Sequence, residues 1–333
     1  GDLFDGQWRD MQTGIWTAAQ FRRLDAESIA VYLLRGNHDA ASEVRQGIQW
    51  PDNVFEFSTE APNTFIDESV GVALHGQGFA RRDVTDDLAS KYPSPHPDMF
   101  NIGVLHTSLA GYPQHDTYAP TTLDVLRALG YDYWALGHVH QRPEEPLSHE
   151  PYVTYSGNMQ GRHIHEQGAK GCLLVTTEGR HVETVQFHPL DVLRWHQITI
   201  EANLEDHLPE ILQHVRTAMH DCRESSDGRL CAIRMHILGA CRAHSELSEP
   251  AQHAAAIGQI RDAANAMDGI WLEKIQVDTS PHWDLDALRQ GRDMLAELLR
   301  GVEDLRVTTA RWDTITEDIA KFTSRHASEL DEA

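Results

Sequence analysis

The feature that most constrains the fold is a buried-strand pattern that ends abruptly in three polar residues. Residues 29–34 are mainly apolar, and the chain then turns at Gly36 into Asn37, His38 and Asp39. An apolar run of this length that meets a glycine predicts a strand ending in a tight turn. An amide, an imidazole and a carboxylate at a strand end add little to stability, so the turn is a candidate functional site.

Three further segments carry a metal-binding residue type, and two of them place it directly after an apolar run. The opening segment carries Asp2, a strand pattern ends at His106, and another leads through Gly137 to His138 and His140. Carboxylate, amide and imidazole groups bind divalent metals, and this set contains no thiolate. Because ligands in open sheets gather at the carboxyl ends of strands, we expect these side chains to share one cavity. The expected set is Asp2, Asn37, His106, His138 and His140.

In chain order the four segments read GDxxD, GNHD, GxxH and GHxH. They resemble the calcineurin-like metallophosphoesterases and, within that family, the SbcD-type DNA-repair exonucleases. A single four-residue string is a weak signal, whereas four in this order, each after a strand pattern, form a strong one. The resemblance covers roughly residues 1–188. The alternative interpretation is that the histidines are ordinary core or surface residues.

The resemblance implies a metal-binding role for each member of the set. Asp2 would bridge two divalent metal ions, and Asn37, His106 and His138 would complete one site. His140 would bind the second metal. Two cations about 3.5–4 Å apart neutralise a phosphodiester, activate water and assist the leaving oxygen. The ligands suit manganese, the first expectation, although imidazole equally suits zinc or iron.

The resemblance also implies residues that act on the substrate. His38 would be the catalytic histidine, which contacts the phosphate and protonates the leaving oxygen; the alternative is a structural turn residue. Arg162 and His163 follow a turn similar to the GNxQGRH segment of SbcD-type proteins and are candidate phosphate contacts. Asp39 is expected to orient the turn or a neighbouring histidine. The role of His75 is undecided between a contact near the substrate and packing in the core.

The family's first motif, an Asp-x-His pair that completes the second metal site, occurs nowhere in this sequence. The first loop motif stands at Gly1 with no strand before it. The resemblance therefore implies an N-terminally truncated chain whose Asp-x-His pair lies upstream. On that expectation the chain as given holds one metal well and has negligible nuclease activity.

Composition sets limits on location and on substrate binding. The sequence has 333 residues, 41% of them hydrophobic and 24% charged, which is ordinary for a soluble globular protein. It shows no secretory signal and no apolar run near the roughly 20 residues that span a bilayer, so we expect no membrane association. The four cysteines form no CxxC pair and fit a reducing cytoplasm. The net charge of −23 argues against tight, autonomous binding of duplex DNA.

The order of periodic segments predicts an α/β protein with three regions. A metallophosphoesterase two-sheet sandwich flanked by helices is expected over residues 1–190, with a first helix over 10–28 and a late hairpin around Gly179. A motif-free β-α-β-α-β block over 191–280 is expected to form a small capping domain. Residues 281–333 are expected to form a helical, partner-binding region, with an apolar stripe at helical spacing. The stripe consists of Trp312, Ile315, Ile319 and Phe322.

Three functions compete at this point. The leading hypothesis is the nuclease subunit of an SbcCD-like repair complex, which acts on DNA together with an SbcC-type coiled-coil ATPase; a homodimer is a further expectation. The runner-up is a phosphodiesterase for a small nucleotide or nucleotide-sugar substrate, which the acidic charge favours. The third is a scaffold with a decayed metal site, and the missing Asp-x-His pair is its only support.

Overall fold

The computed structural model describes residues 1–4, 10–42, 47–110, 118–283, 285–307, 312 and 316–317. Two compact units are present. The first comprises residues 1–198, 217–235 and 264–274, and the second comprises 199–216, 236–263 and the described residues from 275 onward. The domain boundaries expected near residues 190 and 280 stay predictions.

Helices and strands alternate along the chain, as the periodic segments predict. The helices are α1 (Met11–Ala26), α2 (Asn37–Ala41), a 3₁₀ turn (Ala89–Lys91), α3 (Leu123–Ala128), α4 (Leu208–Glu224), α5 (His244–Ser248), α6 (Pro250–Asn265), α7 (Leu285–Gln290) and α8 (Met294–Val307). The first strands are β1 (Val31–Leu33), β2 (Val54–Glu56), β3 (Asn63–Asp67), β4 (Val72–Gly76), β5 (Phe100–His106), β6 (Tyr133–Gly137) and β7 (Ser148–His149). They are followed by β8 (Tyr152–Tyr155), β9 (Gly171–Glu178), β10 (His181–Pro189), β11 (Leu193–Glu201), β12 (Leu230–Cys241) and β13 (Ile270–Pro281).

The largest sheet has the strand order β3-β4-β5-β6-β8-β7. Its four central strands, β4, β5, β6 and β8, run parallel, and β3 and β7 pair antiparallel at the two edges. Parallel strands are normally covered on both faces, which explains why β5 and β6 are mostly buried along their length. Gly103 of β5 leaves room for the fully buried Trp134, whose ring a Cβ would approach to 2.3 Å.

Among the residues that the structure describes, three smaller sheets accompany the large one. Strands β1 and β2 form a parallel pair, β9 and β10 form the predicted hairpin, and β11, β12 and β13 form a sheet with β12 in the middle. The hairpin turns at Gly179, whose φ of +56° lies in the left-handed region that glycine tolerates. The mixture of helices and several sheets confirms the α/β prediction.

Local differences from the predictions are small and have physical causes. Helix α1 begins after Asp10, whose carboxylate caps it by accepting from the Gln12 N–H. The tight turn predicted after β1 is followed at once by a helix, since Asn37, His38 and Asp39 lie in the short helix α2. In the tail, the Trp312 side chain is 51% exposed, whereas Ile315, Ile319 and Phe322 lie outside the described residues. No helix in the described part of the chain is long and apolar enough to cross a membrane.

Candidate metal centre

Parallel strand register brings two of the predicted histidines together. His106 is the last residue of β5 and pairs with Gly137, the last residue of β6. The residue after Gly137 is His138, so both imidazoles emerge at the same edge of the sheet, with ring centroids 5.2 Å apart. The φ of His138 is +97°, a backbone conformation that L-residues rarely adopt and that often occurs at functional sites.

The turn after β1 delivers an amide to the same place. Asn37 is buried, and its Oδ1 atom lies 2.9 Å from the Nε2 atom of His106. Asp39 fixes this turn, because its carboxylate accepts from the N–H groups of Phe4 (3.0 Å) and Gly36 (3.3 Å). The carboxylate of Asp39 is therefore used in orienting the turn and the opening segment of the chain.

The opening segment supplies the carboxylate. One oxygen of Asp2 accepts from the backbone N–H of His38 at 2.8 Å, and the other lies 3.2 Å from Nε2 of His106. Gly36 permits this close approach, since a Cβ at that position would lie 2.2 Å from Asp2 Oδ1. The glycine of the GNHD motif thus makes space for the first carboxylate.

The donor set fits a divalent metal ion. The ligand atoms of Asp2, His106 and His138 all lie within 4.8 Å of one another. Ligands bound at about 2.1 Å and at right angles are roughly 3 Å apart, close to the contacts between His106 and its neighbours Asp2 and Asn37. The Nδ1 atom of His106 is buried and has no hydrogen-bond partner among the described residues, which is costly outside a functional site.

The electrostatics favour the protonation states that metal ligands need. Burial lowers the pKa of His106, which keeps its imidazole neutral. Burial alone would raise the pKa of Asp2, but hydrogen bonds from His106 and from the His38 N–H outweigh it and hold that pKa well below its ordinary value. A neutral imidazole beside an ionised carboxylate is the state that binds a metal ion without first losing a proton.

A second cluster surrounds His140. The Nδ1 atom of His140 lies 2.7 Å from Oε1 of Glu166, a buried carboxylate that also accepts from the backbone and side chain of Arg162. Burial would raise the pKa of Glu166, but these hydrogen bonds outweigh it and hold the pKa well below its ordinary value. His163 lies at the edge of the cluster, with Nε2 3.7 Å from Oε1 of Glu166.

One cavity of about 800 Å³ joins the two clusters. The predicted site residues that line it are Asp2, His38, His106, His138, His140 and Arg162. Asn37 reaches this set through its contact with His106, and His163 reaches it through Glu166. The structure thus brings together the residues that the sequence singled out, and their individual roles stay predictions.

His75 and Glu166 are the two residues whose placement the sequence left open or missed. His75 is buried in the large sheet, where Thr64 and Asn101 each contact one ring nitrogen and Tyr131 stacks on the ring. It therefore has a packing role. Glu166 was not among the predicted site residues, yet it is the only acidic residue in the glycine-rich segment 157–168. Its position as the single acidic residue of that segment was the one feature of the sequence that could have identified it.

Comparison with known proteins agrees with this geometry. Residues 1–142 match the family described as calcineurin-like phosphoesterase, and the match contains Asp2, Asn37, His106 and His138. This region belongs to the calcineurin-like metallophosphoesterases. Residues 195–280 match the family described as the middle domain of metallophosphoesterase YhaO.

A curated relative extends over both regions. The chain is 34% identical to the uncharacterized metallophosphoesterase YhaO of Bacillus subtilis (strain 168) over 242 residues. That alignment covers 72% of this chain and 58% of the relative, so the chain spans less than two thirds of that protein. The similarity to SbcD-type exonucleases stays a prediction.

Proposed function

We propose that this chain is a metal-dependent phosphodiesterase. The observation that supports this best is the convergence of Asp2, His106 and His138, whose ligand atoms lie within 4.8 Å of one another at one cavity. The proposal includes two divalent metal ions, with manganese as the expected metal. Asp2, Asn37, His106 and His138 would hold one ion, and His140 would contribute to the second.

Bound metals would neutralise the phosphate and activate a water molecule. The chain's own residues supply the remaining functions. His38 lines the cavity next to Asp2, where its imidazole can deliver a proton to the leaving oxygen. Arg162 lines the same cavity with a half-exposed guanidinium, which is suited to binding a phosphate oxygen by charge-assisted hydrogen bonds.

We propose DNA as the substrate, with the chain acting as the nuclease subunit of an SbcCD-like complex in the cytoplasm. The support is the order and spacing of the motifs. Because the net charge is −23, we expect weak binding to isolated duplex DNA, with an SbcC-type ATPase holding the substrate. Exposed Trp312 is a candidate contact for this partner. A homodimer is a further proposed assembly.

One alternative has specific support. A cavity of about 800 Å³ lies within the range of roughly 300–1,000 Å³ that is typical of small-molecule sites. Together with the acidic charge, this volume favours a small nucleotide or nucleotide-sugar diester over a long polyanion. The two substrates call for the same chemistry at the same residues, so only a comparison of substrates separates them.

The test is hydrolysis in the presence of Mn²⁺ by a chain that carries the Asp-x-His pair implied by the resemblance, because these 333 residues contain no such pair. The substrates are bis(p-nitrophenyl) phosphate, a cyclic mononucleotide, and end-labelled single-stranded and duplex DNA. We expect manganese-dependent hydrolysis that His106→Ala abolishes and that His181→Ala, an exposed histidine on the hairpin, leaves unchanged. Cleavage of DNA supports the nuclease, and hydrolysis of only the small diesters supports the alternative. If the metal-loaded chain with the Asp-x-His pair hydrolyses none of them, the phosphodiesterase proposal is wrong.

A further inference from the structure

One buried carboxylate contacts both the predicted second-metal ligand and the predicted phosphate contact. Glu166 is 6% exposed. Its Oε1 atom accepts from Nδ1 of His140 at 2.7 Å and from Nη2 of Arg162 at 3.2 Å. Its Oε2 atom accepts from the Arg162 backbone N–H at 2.8 Å and from the Asn158 amide at 3.0 Å. Both oxygens thus accept hydrogen bonds, and three of the residues that donate them, His140, Asn158 and Arg162, line the cavity.

These contacts fix the tautomer of His140. Nη2 of Arg162 lies 3.3 Å from Nδ1 of His140, and a guanidinium nitrogen can only donate. The carboxylate of Glu166, which can only accept when ionised, is closer to Nδ1 and is shared by both donors. Nδ1 of His140 therefore carries the proton, and Nε2 carries the lone pair that a metal ligand needs.

The segment that carries Glu166 is itself held firmly. The side-chain amide of Gln160 donates to the Leu193 carbonyl at 2.7 Å, and Nε1 of Trp195 donates to the Gly161 carbonyl at 3.1 Å. Gly161 is required for this packing, because a Cβ there would lie 2.5 Å from the Glu166 carbonyl oxygen. A carboxylate on a fixed segment can set the position of two side chains at once.

We propose that Glu166 is a positioning residue that couples metal binding by His140 to phosphate binding by Arg162. It holds the imidazole in the tautomer that presents Nε2 as a metal ligand, and it holds the guanidinium at the cavity wall next to that ligand. This inference deepens the proposed function and rests on it. The competing explanation is that the ion pair between Glu166 and Arg162 only stabilises the loop conformation of residues 158–166.

The first experiment measures the tautomer of His140 in the metal-free chain by NMR with ¹⁵N-labelled histidine. The signals of His140 are assigned by their loss in His140→Gln. We expect Nδ1 to carry the proton in the wild type. We expect Glu166→Gln to shift the population, because an amide has one accepting oxygen, and its NH2 group would face either Nδ1 of His140 or the backbone N–H of Arg162. Glu183→Gln is the matched control, since it removes one exposed carboxylate on β10.

The second experiment measures affinities. We expect Glu166→Gln to weaken Mn²⁺ binding about 10–100-fold, the usual effect of removing a group that supports a metal ligand. We also expect weaker binding of inorganic phosphate to the Mn²⁺-loaded chain, with losses for Arg162→Ala and Glu166→Gln that are not additive in the double variant. Glu166→Asp, which keeps the carboxylate, should restore part of both affinities, and Glu183→Gln should change neither.

Two results would overturn the proposal. The first is a wild-type His140 that is protonated at Nε2, which can be observed even if every Glu166 variant fails to fold. The second is a folded Glu166→Gln chain with unchanged affinity for both Mn²⁺ and phosphate. Failure of the chain to hydrolyse any diester would refute the proposed function alone, because the tautomer and Mn²⁺ affinity are measured without turnover.

Discussion

The Nε2 atom of His106 lies 2.9 Å from the Oδ1 atom of Asn37, although 69 positions separate the two residues. His106 ends a strand of the large sheet, whereas Asn37 follows β1, which belongs to a separate two-stranded sheet. The contact therefore joins the strand ends of two sheets. The candidate metal centre lies where those ends meet, and the carboxylate of Asp2 reaches the same point from the opening segment.

Asp2→Asn tests whether this point is a metal centre. The amide oxygen can still accept from the His38 N–H, so the fold of the turn is expected to survive, but the negative charge is lost. We expect the affinity for Mn²⁺, measured by isothermal titration calorimetry, to fall by more than the roughly 10–100-fold typical of losing a group that only supports a ligand. Asp98→Asn, at an exposed position, is the control and should bind Mn²⁺ like the wild type.

Gly36→Ala tests the close approach on which the centre depends. The φ of Gly36 is −89°, which alanine adopts readily, so the expected effect is steric. An added Cβ would lie 2.2 Å from Asp2 Oδ1 and 2.7 Å from Cε1 of His106, and the carboxylate must move away. We expect loss of Mn²⁺ binding, measured by elemental analysis of the dialysed protein.

The matched control for this change is Gly258→Ala. Gly258 lies within α6, and a Cβ there would meet nothing within 4 Å. Alanine in a helix is favoured over glycine by about 0.5–1 kcal/mol, so this variant should melt slightly higher and bind Mn²⁺ normally. Equal metal loss in both variants would show that steric crowding at Asp2 is not the cause.

The sequence predicted that Asn37, His106 and His138 lie close together because each follows a strand pattern, and Asp2 was added by the order of the motifs. It did not predict which strands share a sheet, since the apolar run of β1 is compatible with pairing in either sheet. It also did not predict Glu166, because the partners of that carboxylate are set by the path of the loop. A pattern identifies the residues that end strands, whereas loops depend on tertiary contacts.

The contacts of His75 could not be predicted from the sequence either. They lead to a prediction about how stability depends on pH. The Oδ1 atom of Asn101 accepts from the His96 N–H, so it also accepts from Nε2 of His75, and Nδ1 of His75 then accepts from the Thr64 hydroxyl. The ring is neutral in this arrangement, and its burial lowers its pKa below the ordinary value of about 6.5. A sequence without an alignment cannot reveal partners 11 and 26 positions away.

The sign of the effect on stability follows from that lowered pKa. Below about pH 6.5 the unfolded chain binds a proton at His75 that the folded chain does not, so the free energy of unfolding falls as the pH falls through this range. We expect His75→Gln to have a lower melting temperature than the wild type at pH 7.5 but to lose less on transfer to pH 5.5. An equal or larger loss in His75→Gln would contradict the prediction, and exposed His181→Gln serves as the control.

His38→Ala separates metal binding from proton delivery. The His38 backbone N–H donates to Asp2, and the backbone survives the substitution, so Mn²⁺ content should be unchanged. In a chain that carries the Asp-x-His pair, turnover of a dinucleotide should fall by roughly 10²–10⁴, the usual scale for losing general-acid assistance.

The leaving group provides the sharper test of this role. A dinucleotide expels an alkoxide that must be protonated, whereas bis(p-nitrophenyl) phosphate expels a phenolate that is stable without a proton. If His38 delivers the proton, the loss of kcat in His38→Ala should be large for the dinucleotide and small for the nitrophenyl ester. Equal losses for the two substrates would assign His38 to binding the phosphate instead. Loss of Mn²⁺ would place His38 among the groups that hold the metal, because the backbone contact to Asp2 cannot account for it.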